Sequence, residues 1–228
     1  MKSLRIVLVG VLTASALALA TPSSTAAAEP GERVTARLSE LIAALPVRDE
    51  GSRDGYSREQ FRHWVDADRD GCNTRNEVLL AEATVAPEVT GRCTITAGTG
   101  QWWSWYDERT LTSKDDVDID HMVPLAEAWD SGASAWSARE RQDYANDLGD
   151  ERSLLAVTDS VNQSKADQDP AQWMPSAALA TCRYIADWVT VKTRWGLTAD
   201  PAEHAALQKT APASPRRAQP DSSCRASV

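Results

Sequence analysis

With 228 residues, the chain suits one domain, or one domain with a small extension, and is long enough to bury a real core. Its 33 acidic against 24 basic residues, a formal net charge of −9, exclude a protein that grips polyanions by bulk charge, although a local groove can still be positive. The four cysteines show no CxxC spacing, which disfavours a cysteine zinc site and fits disulfide pairing in an oxidising compartment.

In chain order, Lys2 and Arg5 precede the apolar run from Ile6 to Ala20, and Ala26, Ala27 and Ala28 offer the small residues that a signal peptidase reads. Residues 1–28 therefore read as a signal peptide cut after Ala28, with a cut after Ala20 as the alternative. The run is shorter than the ~20 apolar residues of a comfortable membrane span, so the expected mature protein is secreted, soluble and free of membrane. Losing Lys2 and Arg5 takes the net charge from −9 to −11.

Residues 29–210 read as one domain and 211–228 as a Pro/Ser/Ala-rich tail tied by Cys224. The spacing of Val34, Leu38, Leu41, Ile42 and Leu45 predicts a helix over 31–45, stopped by Pro46. Ser57 caps a predicted second helix with Phe61, Trp64 and Val65 as its apolar stripe. Helix resumes over 76–83, strands fall at 94–96, 102–106 and 116–123, and helices follow at 124–130, 137–147, 159–165, 176–195 and 200–209. The class is α+β, a mostly helical domain around a small β-hairpin. Of three possible disulfide pairings, Cys72 with Cys93 and Cys182 with Cys224 is preferred, because each closes a local loop on its own side of the histidine motif. Nine tryptophans against a single Phe61 make the core rich in indole, with several at the edge of a groove.

Between the second and third predicted helices, Asp66, Asp68, Asp70, Gly71, Cys72 and Glu77 occupy positions 1, 3, 5, 6, 7 and 12 of an EF-hand calcium loop. Alternating carboxylates converge on one ion, Gly71 allows the sharp turn, Cys72 offers its backbone carbonyl, and Glu77 can bind through both oxygens. Asn73 departs from the aliphatic residue expected at position 8, so the loop works unpaired, tied by Cys72. A solvated acidic turn is the plain alternative, and a third has Arg75 reaching a substrate groove.

The most informative feature is Asp120-His121-Met122-Val123-Pro124, followed by Asn162-Gln163-Ser164-Lys165-Ala166-Asp167. Hydrolysis of a phosphodiester needs an activated water, a Lewis acid on the phosphate and relief of charge on the leaving oxygen. His121 can serve as base. Asp120 and Asn162 offer the hard oxygens that suit magnesium. Neighbouring strand residues face opposite ways, so the Asp-His pair must sit where its strand ends or bulges. His63, in a predicted helix, and His204, in an Ala-rich stretch, are no rivals.

These two motifs resemble the HNH, or His-Me finger, endonucleases, and most closely their GmrSD C-terminal-like branch. The segments at 71–77, 144–148 and 169–175 and the cysteine-rich tail extend the likeness to nearly the whole mature chain. The resemblance implies a ββα-metal core, His121 as general base, and Asp120 and Asn162 as ligands of one Mg2+ or Mn2+ ion. Ala166 stands where the family often has Gly, and Ser153 where related nucleases commonly place an Asn. A backbone carbonyl can replace that Asn in orienting His121.

Arg139, Arg141, Arg152 and Lys165 surround the motif as candidate phosphate or transition-state contacts, with Arg141 and Lys165 foremost. Asp116 and Asp118 read as outer or solvent-facing residues. Asn146 and Asp147 read as structural, with a role around the metal as the alternative. Trp173 and Pro175 read as packing. The expectation is a secreted, monomeric, metal-dependent endonuclease that takes nucleic acid, DNA before RNA, with little sequence preference and leaves a 5′ phosphate. The rival is a catalytically silent secreted calcium-binding or adhesion module.

Overall fold

A computed structural model describes residues 35–211 and 225–227. Its helices are α1 (Leu38–Ala44), α2 (Thr74–Ala81), α3 (Leu125–Asp130), α4 (Ala138–Ala145), α5 (Asp159–Lys165), α6 (Ala180–Arg194) and α7 (Pro201–Thr210). The strands are β1 (Thr35–Arg37), β2 (Ala83–Val85), β3 (Val89–Thr90), β4 (Thr94–Ile95), β5 (Gln101–Ser104), β6 (Arg109–Leu111), β7 (Val117–His121), β8 (Leu154–Thr158) and β9 (Arg225–Ser227). All sheets are small and antiparallel: β1 with β9, β3 with β4, β2-β5-β6, and β7 with β8.

The β7–β8 pair lies between two apolar cores. In its register Ile119 faces Ala156 and Asp120 faces Leu155. Side chains alternate across the pair, so Val117, Ile119, Leu154 and Ala156 enter one core with Val78, Leu79, Ile95, Trp102 and Leu111. Leu155 and Val157 enter the other, built from α1, α3, α4, α6 and α7, where Phe61, Tyr106, Tyr184 and Trp188 are fully enclosed. A strand covered on both faces carries no alternation of apolar and polar residues. The run Leu154–Thr158 is buried throughout, and for that reason the sequence reading did not place a strand there.

Other departures have local causes. The predicted 31–45 helix begins only at Leu38, since Thr35–Arg37 pairs as a strand with Arg225–Ser227, and residues 31–34 lie outside the described set. The helix expected after Ser57 is a single 3₁₀ turn, Arg58–Gln60. It cannot continue, because Phe61 leaves helical geometry and Trp64 sits at φ 57. Two other starts are set by capping boxes, Ser137 with Glu140 on α4 and Asp200 with Glu203 on α7. Cys72 and Cys93 form a disulfide as expected. Cys182 is also disulfide-bonded, while its expected partner Cys224, the leader and most of the 211–228 tail lie outside the described residues.

Candidate active site on the β7 strand

Helix α5 lies against β7, and two periodicities meet there. Asp118 and Asp120, two apart on a strand, share one face. Asn162 and Lys165, three apart on a helix, share another. The residues pair off in order: Asn162 Nδ2 donates to Asp118 at 2.7 Å, and Lys165 Nζ donates to Asp120 at 2.8 Å. The Tyr106 hydroxyl donates to the second Asp120 oxygen at 2.7 Å, and Lys165 also donates to the His121 carbonyl at 2.9 Å. Lys165 is fully enclosed and the Asp120 side chain is 5% exposed. Burial is the largest influence on both, raising Asp120 and lowering Lys165, with their mutual attraction opposing it on each side.

Asp120, expected to hold a metal ion with Asn162, has both oxygens committed to the buried ammonium and phenol. The carboxylate beside Asn162 is the half-buried Asp118, expected from the sequence to be an outer or solvent-facing residue. The Asn162 atom that meets Asp118 is the amide nitrogen; with the amide turned to offer its oxygen, a carboxylate and a carboxamide make a donor set of hard oxygens suited to magnesium or manganese.

His121, the last residue of β7, points to the opposite face, so the expected strand end is present without a bulge. Its Nε2 lies 3.0 Å from the Ala145 carbonyl. A carbonyl can only accept, so Nε2 carries the proton and Nδ1 holds the lone pair. Ala145 ends α4, where carbonyls lack a helical partner, and the imidazole fills that vacancy, as the sequence reading allowed once Ser153 replaced an Asn. Ser153 instead donates to Asp147, and its carbonyl receives Met122 N–H. Trp64 stacks on the imidazole with ring centroids 5.4 Å apart. Burial pushes the His121 pKa down to about 3.

The four cations expected to contact phosphate are not equivalent. Lys165 is locked as described. Arg152 is bound to Asp150 through two nitrogens, and Arg141 donates to the Trp136 carbonyl and lies over the Trp129 ring. Arg139 is exposed, paired with Asp143 at 2.9 Å. It lines an open groove of about 710 Å³ with Arg62, Arg69, Arg194, Asn146 and Trp195. The scattered positions of Arg62, Arg69 and Arg194 gave the sequence no signal. Arg75 does not extend toward a groove but ties α2 to the Val117 carbonyl at 2.8 Å.

In the acidic loop, Asp66, Asp68 and Asp70 each bring an oxygen within 4.8 Å of the others, all three exposed. Gly71, at φ 102, donates its N–H to Asp66. Glu77, in the first turn of α2, stands outside that trio, with burial and then Asp68, Asp70 and Asp66 raising its pKa. A second group, Glu50, Glu127 and Asp169, is equally close, and its members come from three separate segments that no sequence spacing connects.

The description of the GmrSD restriction endonucleases, C-terminal domain, matches residues 94–210, the stretch that carries β7, β8 and α5 with Asp118, Asp120, His121, Asn162 and Lys165. The chain belongs to that family. A protein of Arthroderma benhamiae described as an uncharacterized secreted protein is 46% identical over 167 residues, covering 73% of this chain and 79% of the relative. No solved structure matches the chain. As a member of the GmrSD C-terminal family, the protein is connected with nuclease function, and its described part is a mixed helix and sheet fold. No helix among the described residues is long and apolar enough to cross a membrane.

Proposed function

We propose that this GmrSD C-terminal family protein is a secreted, metal-dependent endonuclease of the HNH, or His-Me finger, kind, with the β7–β8 hairpin and α5 as its ββα core. The observation that carries the reading is the fixed tautomer of His121. With Nε2–H given to Ala145, Nδ1 is the basic nitrogen, and burial keeps the ring neutral at physiological pH. His121 takes a proton from water at Nδ1, and the water attacks phosphorus in line, giving a 5′ phosphate and a 3′ hydroxyl. Asp118 and Asn162 would hold Mg2+ or Mn2+ on the face of β7 opposite the imidazole, so the phosphate would have to lie across the end of the strand to meet both. A bound ion there would supply positive charge for the phosphate and the leaving oxygen. Asp120, Lys165 and Tyr106 brace the strand that carries the base. Arg62, Arg69 and Arg139 are read as phosphate contacts along the groove, which suits nucleic acid, DNA before RNA, bound weakly and with strong salt dependence.

Secretion is proposed from the leader sequence and from the description of the Arthroderma benhamiae relative. The acidic loop is read as a structural calcium site that uses Asp66, Asp68, Asp70, the Cys72 carbonyl and Glu77. The deciding experiment incubates the residue 29–228 protein with plasmid DNA, single-stranded DNA and RNA, in Mg2+, Mn2+ or chelator, beside folded His121→Ala. Metal-dependent cutting that the variant lacks is expected. No cutting of any substrate, with calcium present and disulfides formed, would favour the calcium-binding module instead.

A further inference from the structure

We infer that Asn146 is a positioning residue for His121, an inference that rests on the nuclease reading above. Its carboxamide has two N–H donors and two acceptor lone pairs, and all are engaged. Nδ2 donates to the Arg62 and Gln142 carbonyls, at 2.7 Å each. Oδ1 accepts from Val65 N–H at 3.0 Å and lies 2.9 Å from the Thr74 hydroxyl. Thr74 in turn donates its N–H to the Val65 carbonyl at 3.0 Å, and its single hydroxyl proton is shared between that carbonyl, at 2.9 Å, and Asn146 Oδ1. One side chain thus joins both ends of the acidic loop, Val65 and Thr74, to the last turn of α4.

The imidazole is gripped between the two parts that Asn146 joins. On one side is the carbonyl of Ala145, the residue before it, which fixes the tautomer. On the other is the indole of Trp64, the residue before Val65. Trp64 holds a left-handed φ of 57, a conformation that bulky residues avoid and that persists only where the surroundings impose it. The bond from Val65 N–H to Asn146 and the stacking on His121 flank that strained residue on both sides. Without the Asn146 side chain, residues 62–65 lose two direct ties to the end of α4, at the Arg62 carbonyl and the Val65 N–H, and Trp64 can relax to negative φ, freeing the ring to rotate.

The test compares wild type, Asn146→Ala and Asn146→Asp by long-range ¹H–¹⁵N NMR of the His121 ring, by kcat and KM on plasmid DNA with Mg2+, and by thermal melting. In Asn146→Ala the single Nε2–H tautomer should give way to a mixture. Its kcat should fall on the order of 10- to 100-fold, the usual scale for groups that orient active-site ligands, with KM nearly unchanged. A folded Asn146→Ala with the wild-type tautomer overturns the inference, even if its melting temperature falls. Should that variant not fold, Asn146→Asp decides: it keeps the acceptor for Val65 and Thr74 but loses both donors, so a partial mixture is expected and an unchanged tautomer overturns the inference. The ring spectrum needs no cleavage, so a wild type that cuts nothing would sink the nuclease reading while the role of Asn146 is still decided.

Discussion

Asn162 donates its carboxamide N–H to Asp118 at 2.7 Å, one helical turn from the buried pair that Lys165 makes with Asp120. Two carboxylates with the same strand spacing therefore meet opposite fates: one faces a neutral amide that can turn its oxygen to a cation, the other a permanent ammonium. Asp118→Asn and Asn162→Ala are expected to abolish Mn2+ binding in calorimetry while leaving the fold intact. Asp120→Asn is expected to cost about 3–5 kcal/mol in urea unfolding, because it leaves the Lys165 charge buried and uncompensated. A stable Asp120→Asn protein that has lost the ion would reverse the assignment.

The acid sensitivity of the fold should report His121. Its folded pKa of about 3 lies below the unfolded value of 6.5, so between these pH values the unfolded chain takes up a proton that the folded chain refuses. This contribution to stability is fully present above pH 6.5 and is lost as pH falls toward 3, at up to about 1.4 kcal/mol per pH unit. Urea titrations at several pH values should show a shallower dependence in His121→Leu. Parallel curves for the two proteins would contradict the buried neutral state.

Lys192 is fully enclosed, and its three N–H donors are shared among Glu127 at 2.8 Å, Glu203 at 2.6 Å, the Ser131 hydroxyl and the Thr198 carbonyl. It holds α6 to α3 and α7 behind the β7–β8 hairpin. Lys192→Met should destabilise by about 3–5 kcal/mol, since two buried carboxylates lose their partner. A loss under 1 kcal/mol in denaturant titration would show that the Lys192 cluster does not hold these helices together.

Ala166 follows α5 at φ 49 and ψ −130, and Gln168 N–H closes the turn onto the Lys165 carbonyl at 3.1 Å. Those angles are the first central position of a type II′ turn, which glycine prefers. Relief of the strain outweighs the added freedom of the unfolded chain. Ala166→Gly should therefore gain about 0.5–1 kcal/mol and raise the melting temperature, with catalysis unchanged. A lowered melting temperature would refute the strain.

The Cys72–Cys93 bridge spans 21 residues and anchors the end of the acidic loop. Replacing both with Ser should cost about 2–4 kcal/mol and weaken calcium binding in a calorimetric titration. Equal affinity with and without the bridge would show that the loop is organised by its own turns.

Local order was legible in the chain because its causes are local. Ser137 and Asp200 announce helix starts through side chains that bond three residues on, and the aspartates at 66, 68 and 70 bend one short loop onto itself. The sequence also singled out His121 and Asn162, whose chemistry stands out in their motifs. What it could not decide was which partners the fold would bring together from separate elements, 14 to 45 residues apart. The assignment of Asp118 rather than Asp120 to Asn162 depends on how α5 lies along β7. The tautomer of His121 depends on a carbonyl at the end of α4, and Tyr106 reaches Asp120 only because β5, β7 and α6 enclose it. Strand β8 was hidden because burial on both faces erases the alternation that marks a strand. Spacing along the chain sets which side chains can share a face; packing between elements sets what that face meets.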